Sequence, residues 1–141
     1  TRLEKLDSGE YGALILAEAG LKRLGLSDRI AYRFSPEELV PAAGQGILAI
    51  QTRAGEYADL LARLNSPDGA LCAKTERQLA SLLGGDCSAP VGCHAQLHGT
   101  DMTLYGFSGI GGVPRYGSVQ GNRNDADLLV QQLASKLTIT E

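Results

Sequence analysis

The stretch GGDCSAPVGCHAQLHG, residues 84–99, marks a change of period in the chain. Before it, Leu71, Thr75, Leu79, Leu82 and Leu83 recur on one face of a helix, which is expected to run to about residue 83 and stop at Gly84–Gly85. Ser66, Pro67 and Asp68 supply its start: a capping hydroxyl, a ring with no N–H to lose, and an acid in the first turn. After it, Val91, Cys93, Ala95 and Leu97 alternate with Gly92, His94, Gln96 and His98, the pattern of a half-buried strand. Working outward, GTD (99–101) turns the chain into MTLYGFSGI (102–110), and Gly111–Gly112 leads to a third strand near 113–120. Asn124 or Asp125 caps a last helix whose apolar face carries Ala126, Leu129, Val130, Leu133 and Leu137. Residues 67–141 therefore read as a small α+β domain, a three-stranded antiparallel sheet with helices.

The first half reads differently. TRLEKLD (1–7) is a short helix ended by Gly9, and AGLKRLGLSDRI (19–30) is a second one. GALILAE (12–18), IAYRF (30–34) and ILAIQTR (47–53) read as strands, SPEELVPAAGQG (35–46) as a loop, and EYADLLARLNS (56–66) as a helix. This order suggests an α/β layer.

Composition sets the class. The chain has 141 residues, 43% hydrophobic and 21% charged, as in a soluble globular protein. A formal charge of -3 with 13 Lys and Arg in no run does not suggest nucleic acid as a partner. No apolar stretch approaches the ~20 residues needed to span a bilayer. The charged start, with no initiator Met, gives no signal peptide and suggests a piece of a longer chain. Three cysteines, an odd number, argue for a reducing compartment rather than a disulfide scaffold. Cys87, Cys93 and His94 fit no common zinc spacing, so no metal is expected.

Cys87 lies on a glycine-rich turn between a helix end and a sheet, with Pro90 fixing the exit. A thiol there can hold a covalent group. Asp86 beside it disfavours a thiolate, and His94 and His98 lie on the polar face of a strand, so a hydrolase-type pair is weakly supported. Cys72 and Cys93 read as core. Arg2, Lys22 and Arg23 near element ends suggest an anion site, against a solvated helix face as the plainer reading. AAGQG (42–46) places Gln45 between two glycines on a loop, a weak signal taken alone.

Together, TRLEKLDSGEYGALILAEAGLKRLGL (1–26), PAAGQGILAI (41–50) and TERQLASLLGGDCSAPVG (75–92) resemble the porphobilinogen deaminase (hydroxymethylbilane synthase) family over nearly the whole chain. The resemblance implies a cytoplasmic transferase of heme biosynthesis, usually monomeric. It condenses four porphobilinogen molecules, with loss of ammonia, into the linear tetrapyrrole hydroxymethylbilane. It implies a dipyrromethane cofactor joined through a thioether to Cys87, with Arg2 and Arg23 binding acetate and propionate groups, Gly20 beside the cofactor, and Gln45 facing the cleft. Each pyrrole unit brings two carboxylates, which suits guanidinium groups.

The resemblance also divides the chain. Residues 1–50 correspond to the second half of a periplasmic-binding-protein-like domain, 51–66 to a return segment that packs on another domain, and 67–141 to the cofactor-bearing domain. The family's catalytic aspartate lies in an N-terminal domain, so no catalytic residue is expected here and this chain alone is expected to be inactive. Its implied partners are porphobilinogen, the linear polypyrrole and the missing N-terminal part of the enzyme, with no nucleic acid and no membrane. Asp86 stands where the family usually has Gly. The alternatives are a non-catalytic anion- or partner-binding module derived from the same fold, and a thiol enzyme pairing Cys87 with His94 or His98.

Overall fold

The structure is a computed structural model that describes residues 2–86 and 88–138. Its contacts divide the chain into two units, Thr1–Phe34 and Ser35–Glu141.

The first unit holds two short helices, α1 (Arg2–Asp7) and α2 (Glu18–Arg23). Gly9 and Gly25 sit at positive φ just beyond them, 78° and 70°, where a side chain would be strained. Charge pairs tie the unit together. Glu18 accepts from Lys22 Nζ and Arg33 Nε, both at 2.8 Å, and Arg29 pairs with Asp7. Lys22 first and Arg33 second hold the Glu18 carboxyl down at about 2. Among the described residues the strands expected at 12–18 and 30–34 are not formed: no ladder is made there, and Glu18 begins α2 instead. An extended segment becomes a strand only when a neighbour supplies N–H and C=O groups. None does so here, and Ile15 is left 72% exposed.

In the second unit the α+β reading holds. α3 (Ala58–Leu64) precedes α4 (Pro67–Leu82), then β1 (Val91–His98), β2 (Asp101–Ser108), β3 (Arg115–Asn122) and α5 (Ala126–Leu137). The sheet is antiparallel in the order β1-β2-β3. Cys93, Gly106 and Gly117 lie in one row, and Ala95, Leu104 and Val119 in the next. These rows face α4 and α5, and the core is built from them with Leu79, Leu129, Val130, Leu133 and Leu137. α5 lies so close to the sheet that a Cβ on Gly106 would stand 2.5 Å from Leu137 Cδ1.

Ser66 caps α4 as expected, its Oγ accepting from Gly69 N–H at 3.1 Å. Two details differ. Leu82 is 46% exposed, and Glu76, not among the residues expected on the buried face, is 3% exposed. At the head of α5, Asn122 Oδ1 accepts from Asn124 N–H at 2.9 Å and opens a 3-10 turn at Arg123–Asp125, so neither Asn124 nor Asp125 supplies the cap bond. The strand expected at 47–53 is also absent, with Leu48 86% exposed for the same want of a neighbour. Among the described residues no helix is long and apolar enough to cross a membrane.

Candidate functional site

α4 ends in a hydrogen-bonded glycine pair. Gly84, at φ 73°, donates to Ser81 O at 3.1 Å, and Gly85 donates to Ala80 O at 2.8 Å, which together satisfy the carbonyls a helix end leaves open. Gly85 is also required for space, since a Cβ there would stand 2.6 Å from Val91 Cγ2.

The next residue closes a turn. Asp86 Oδ1 accepts from Ser88 N–H at 2.8 Å, Ser88 Oγ at 2.7 Å and Ala89 N–H at 2.8 Å. The Ser88 hydroxyl first, then the two amides, hold the Asp86 carboxyl below the usual aspartate range. Pro90 O accepts from Gly109 N–H at 2.8 Å, which anchors the exit of the turn to the end of β2. Cys87 lies outside the described residues.

The other two cysteines are accounted for. Cys93 is fully buried on the core face of β1; burial first, and the Glu76 charge second, push its thiol up to about 12. Cys72 is half-buried in α4, and burial followed by the charges of Glu76 and Asp68 raises it as well.

β1 is an edge strand, and its outer edge is covered. Cys93 N–H donates to Pro41 O at 2.8 Å, and Ala95 N–H donates to Glu76 Oε1 at 2.9 Å. Gly92 lets the segment come this near, since a Cβ there would stand 2.6 Å from Val40 O. The second Glu76 oxygen, Oε2, accepts from Gly44 N–H at 2.7 Å, and His94 Nδ1 lies 3.3 Å from Oε1. Burial pushes the Glu76 carboxyl up, but the bonds from His94, Ala95 and Gly44 outweigh it and leave the group lowered. One buried carboxylate thus joins α4, β1 and the AAGQG loop. Gly44 and Gly46, at φ 78° and 80°, turn the backbone on either side of an exposed Gln45.

In the first unit, Arg2 opens α1 and Arg23 closes α2, both exposed. Among the described residues neither makes an ion pair, whereas the nearby Lys22, Arg29 and Arg33 all do. Gly20 has open space where a Cβ would stand, so nothing among the described residues demands a glycine there. His98 is exposed at the end of β1, and His94 is engaged with Glu76.

Glu76 was missed in the sequence. Its signal was visible: a charged residue on the buried stripe of α4, four after Cys72 and three before Leu79.

Two family models match the chain in order. One is described as porphobilinogen deaminase, dipyromethane cofactor binding domain, over residues 1–60, and the other as porphobilinogen deaminase, C-terminal domain, over residues 70–138. Among curated relatives, the porphobilinogen deaminases of Thiobacillus denitrificans and Chromobacterium violaceum are 45% and 48% identical, each match covering 97% of this chain and 46% of the relative. That of Ruminiclostridium josui is 42% identical over 97% of this chain and 48% of its own length. The chain spans about half the length of the curated relatives it matches.

Proposed function

Because the chain belongs to the porphobilinogen deaminase family, we propose that it forms the part of a hydroxymethylbilane synthase that carries a dipyrromethane cofactor on Cys87. The observation that carries the reading is the 84–90 turn. It is braced at both ends by Gly85–Ala80 and Pro90–Gly109 bonds and closed by Asp86. The donor set fits a thioether-linked group: Cys93 is buried and Cys72 half-buried, which leaves Cys87, flanked by exposed Asp86 and Ser88. When bound, the cofactor supplies the primer to which porphobilinogen units are added, each with loss of ammonia.

The protein's own residues would bind and orient. Arg2 and Arg23 offer planar, permanently charged forks for the acetate and propionate carboxylates. Gly20, with no Cβ and open space in its place, lets a bulky pyrrole approach the backbone. Gln45 offers a neutral amide on a loop turned by glycines on both sides. Asp86 uses its charge in the bonds of its own turn, which makes it compatible with an anionic group nearby. Residues 1–50 belong in this reading to a periplasmic-binding-like domain, and 51–66 to a segment returning to another domain. The exposed apolar side chains of Ile15, Leu48 and Ile50 support such neighbours. Catalysis of the condensation then falls to residues in the half of the relatives' length that this chain does not match. The reading places the enzyme in the cytoplasm as a monomer.

Intact mass with peptide mapping around Cys87 tests this. The expected result, in the protein expressed with the remaining half of the enzyme, is an adduct of two linked pyrrole units on Cys87. The 141-residue chain alone is expected to turn over porphobilinogen no faster than its Cys87→Ser variant. An unmodified Cys87 thiol in the longer protein overturns the reading.

A further inference from the structure

We propose that Glu76 is a positioning residue, a latch that makes the Gln45 loop move as one body with the sheet and the Cys87 turn. The upstream arm of the loop is held by the Cys93 N–H bond to Pro41 O at 2.8 Å and by Ala43, which packs against the core. Gln45 N–H donates to Ala42 O at 3.2 Å and Ile47 N–H to Gly44 O at 3.1 Å, bonds that shape the loop but do not anchor it. Beyond Ala43, next to Gln45, the anchor is the Gly44 bond at 2.7 Å to a carboxylate only 3% exposed. The same carboxylate is fixed from the other side by Ala95 N–H at 2.9 Å and His94 Nδ1 at 3.3 Å. A buried charge is retained only when its lone pairs are used, and here they are divided between two separate segments. From Glu76, α4 runs on to Leu82, and Gly84 and Gly85 close it just ahead of Asp86. The geometry therefore joins the loop to the turn through a single rigid helix. That this serves a cofactor rests on the reading above; the latch itself does not.

Glu76→Gln separates the two halves of the latch. Its amide oxygen can still accept from Ala95, while its NH2 group faces the Gly44 N–H donor to donor. Amide hydrogen exchange of the 141-residue chain reads the result. Losing a hydrogen bond to a charged group, we expect Gly44, Gln45 and Gly46 to exchange roughly tenfold faster or more while Ala95 and the β1–β2 ladder stay protected. An amide-to-ester replacement at Gly44, which deletes only that N–H, is expected to free the same loop even if Glu76→Gln fails to fold. In the longer enzyme, loading of Cys87 is expected to persist in Glu76→Gln while KM rises more than kcat falls. Unchanged exchange at Gln45 and Gly46 in the ester protein overturns the latch. So does acceleration spread evenly over the loop and all three strands, since that reports general loss of stability. An unmodified Cys87 in wild-type longer enzyme overturns the cofactor reading and leaves the exchange result standing.

Discussion

Asp86 and Ser88 close a hydrogen-bonded turn across residue 87: one carboxylate oxygen takes both the amide and the hydroxyl of Ser88, at 2.8 and 2.7 Å, and then the Ala89 amide. Asp86 is therefore a brace, with its charge already engaged. Asp86→Asn keeps an acceptor oxygen and is expected to keep the turn. Asp86→Ala removes it and is expected to accelerate exchange of the Ser88 and Ala89 amides severalfold. Exchange equal to wild type in Asp86→Ala would show that the backbone holds the turn unaided.

Acid should loosen the protein through Glu76. Its folded carboxyl lies below the ordinary glutamate value of 4.5, so the stability it contributes is complete above that value and is lost as pH falls through the folded one. The titratable groups around it are His94 on β1 and the thiols of Cys93 and Cys72, whose raised values keep the thiols neutral through this range. Urea unfolding from pH 7 to pH 3 is expected to show a steeper acid decline in wild type than in Glu76→Gln. Because Glu18 and Asp86 titrate with the same sign, the difference between the two proteins is the quantity to compare.

Gly92→Ala tests the cover on the β1 edge. The obstacle to its Cβ is backbone, Val40 O at 2.6 Å, which cannot rotate away as a side chain would. The Pro41–Cys93 bond is expected to break, exposing the Cys93 amide to exchange. The β1–β2 ladder on the opposite edge should remain. An unprotected edge also invites pairing with another chain, so added self-association is expected by light scattering.

Leu133 fills the centre of the core, with its methyls against the glycines of β2 and β3 and no exposed surface. Leu133→Ala is expected to cost about 2–5 kcal/mol in urea unfolding, the range for a fully buried leucine whose cavity cannot collapse. A loss under ~1 kcal/mol would mean that α5 settles onto the sheet and fills the cavity.

Much of the second unit was legible because its signals are local. The two-residue alternation of 91–98 places Cys93 and Ala95 inward whatever else the chain does, and Ser66-Pro67-Asp68 and Gly84–Gly85 bound α4 through bonds among near neighbours. Cys87 was singled out from the sequence as a thiol on a glycine-rich turn, and it lies outside the described residues. The carry-over of Arg2, Gly20, Arg23 and Gln45 came from motif order, not from any pattern in composition.

What sequence alone determined, then, are the helices and strands whose hydrogen bonds close within a few residues or whose period matches a single buried face. Tertiary structure decided the rest. Residues 12–18, 30–34 and 47–53 have the composition of strands, yet they lack a ladder because strand formation depends on a neighbour that periodicity does not supply. Glu76, Gly44 and Ala95 are separated by 32 and 19 residues in the chain. Their meeting was invisible to any local rule, because a buried carboxylate is stable only where distant backbone amides converge on it, and only the folded packing of α4 against β1 brings them there.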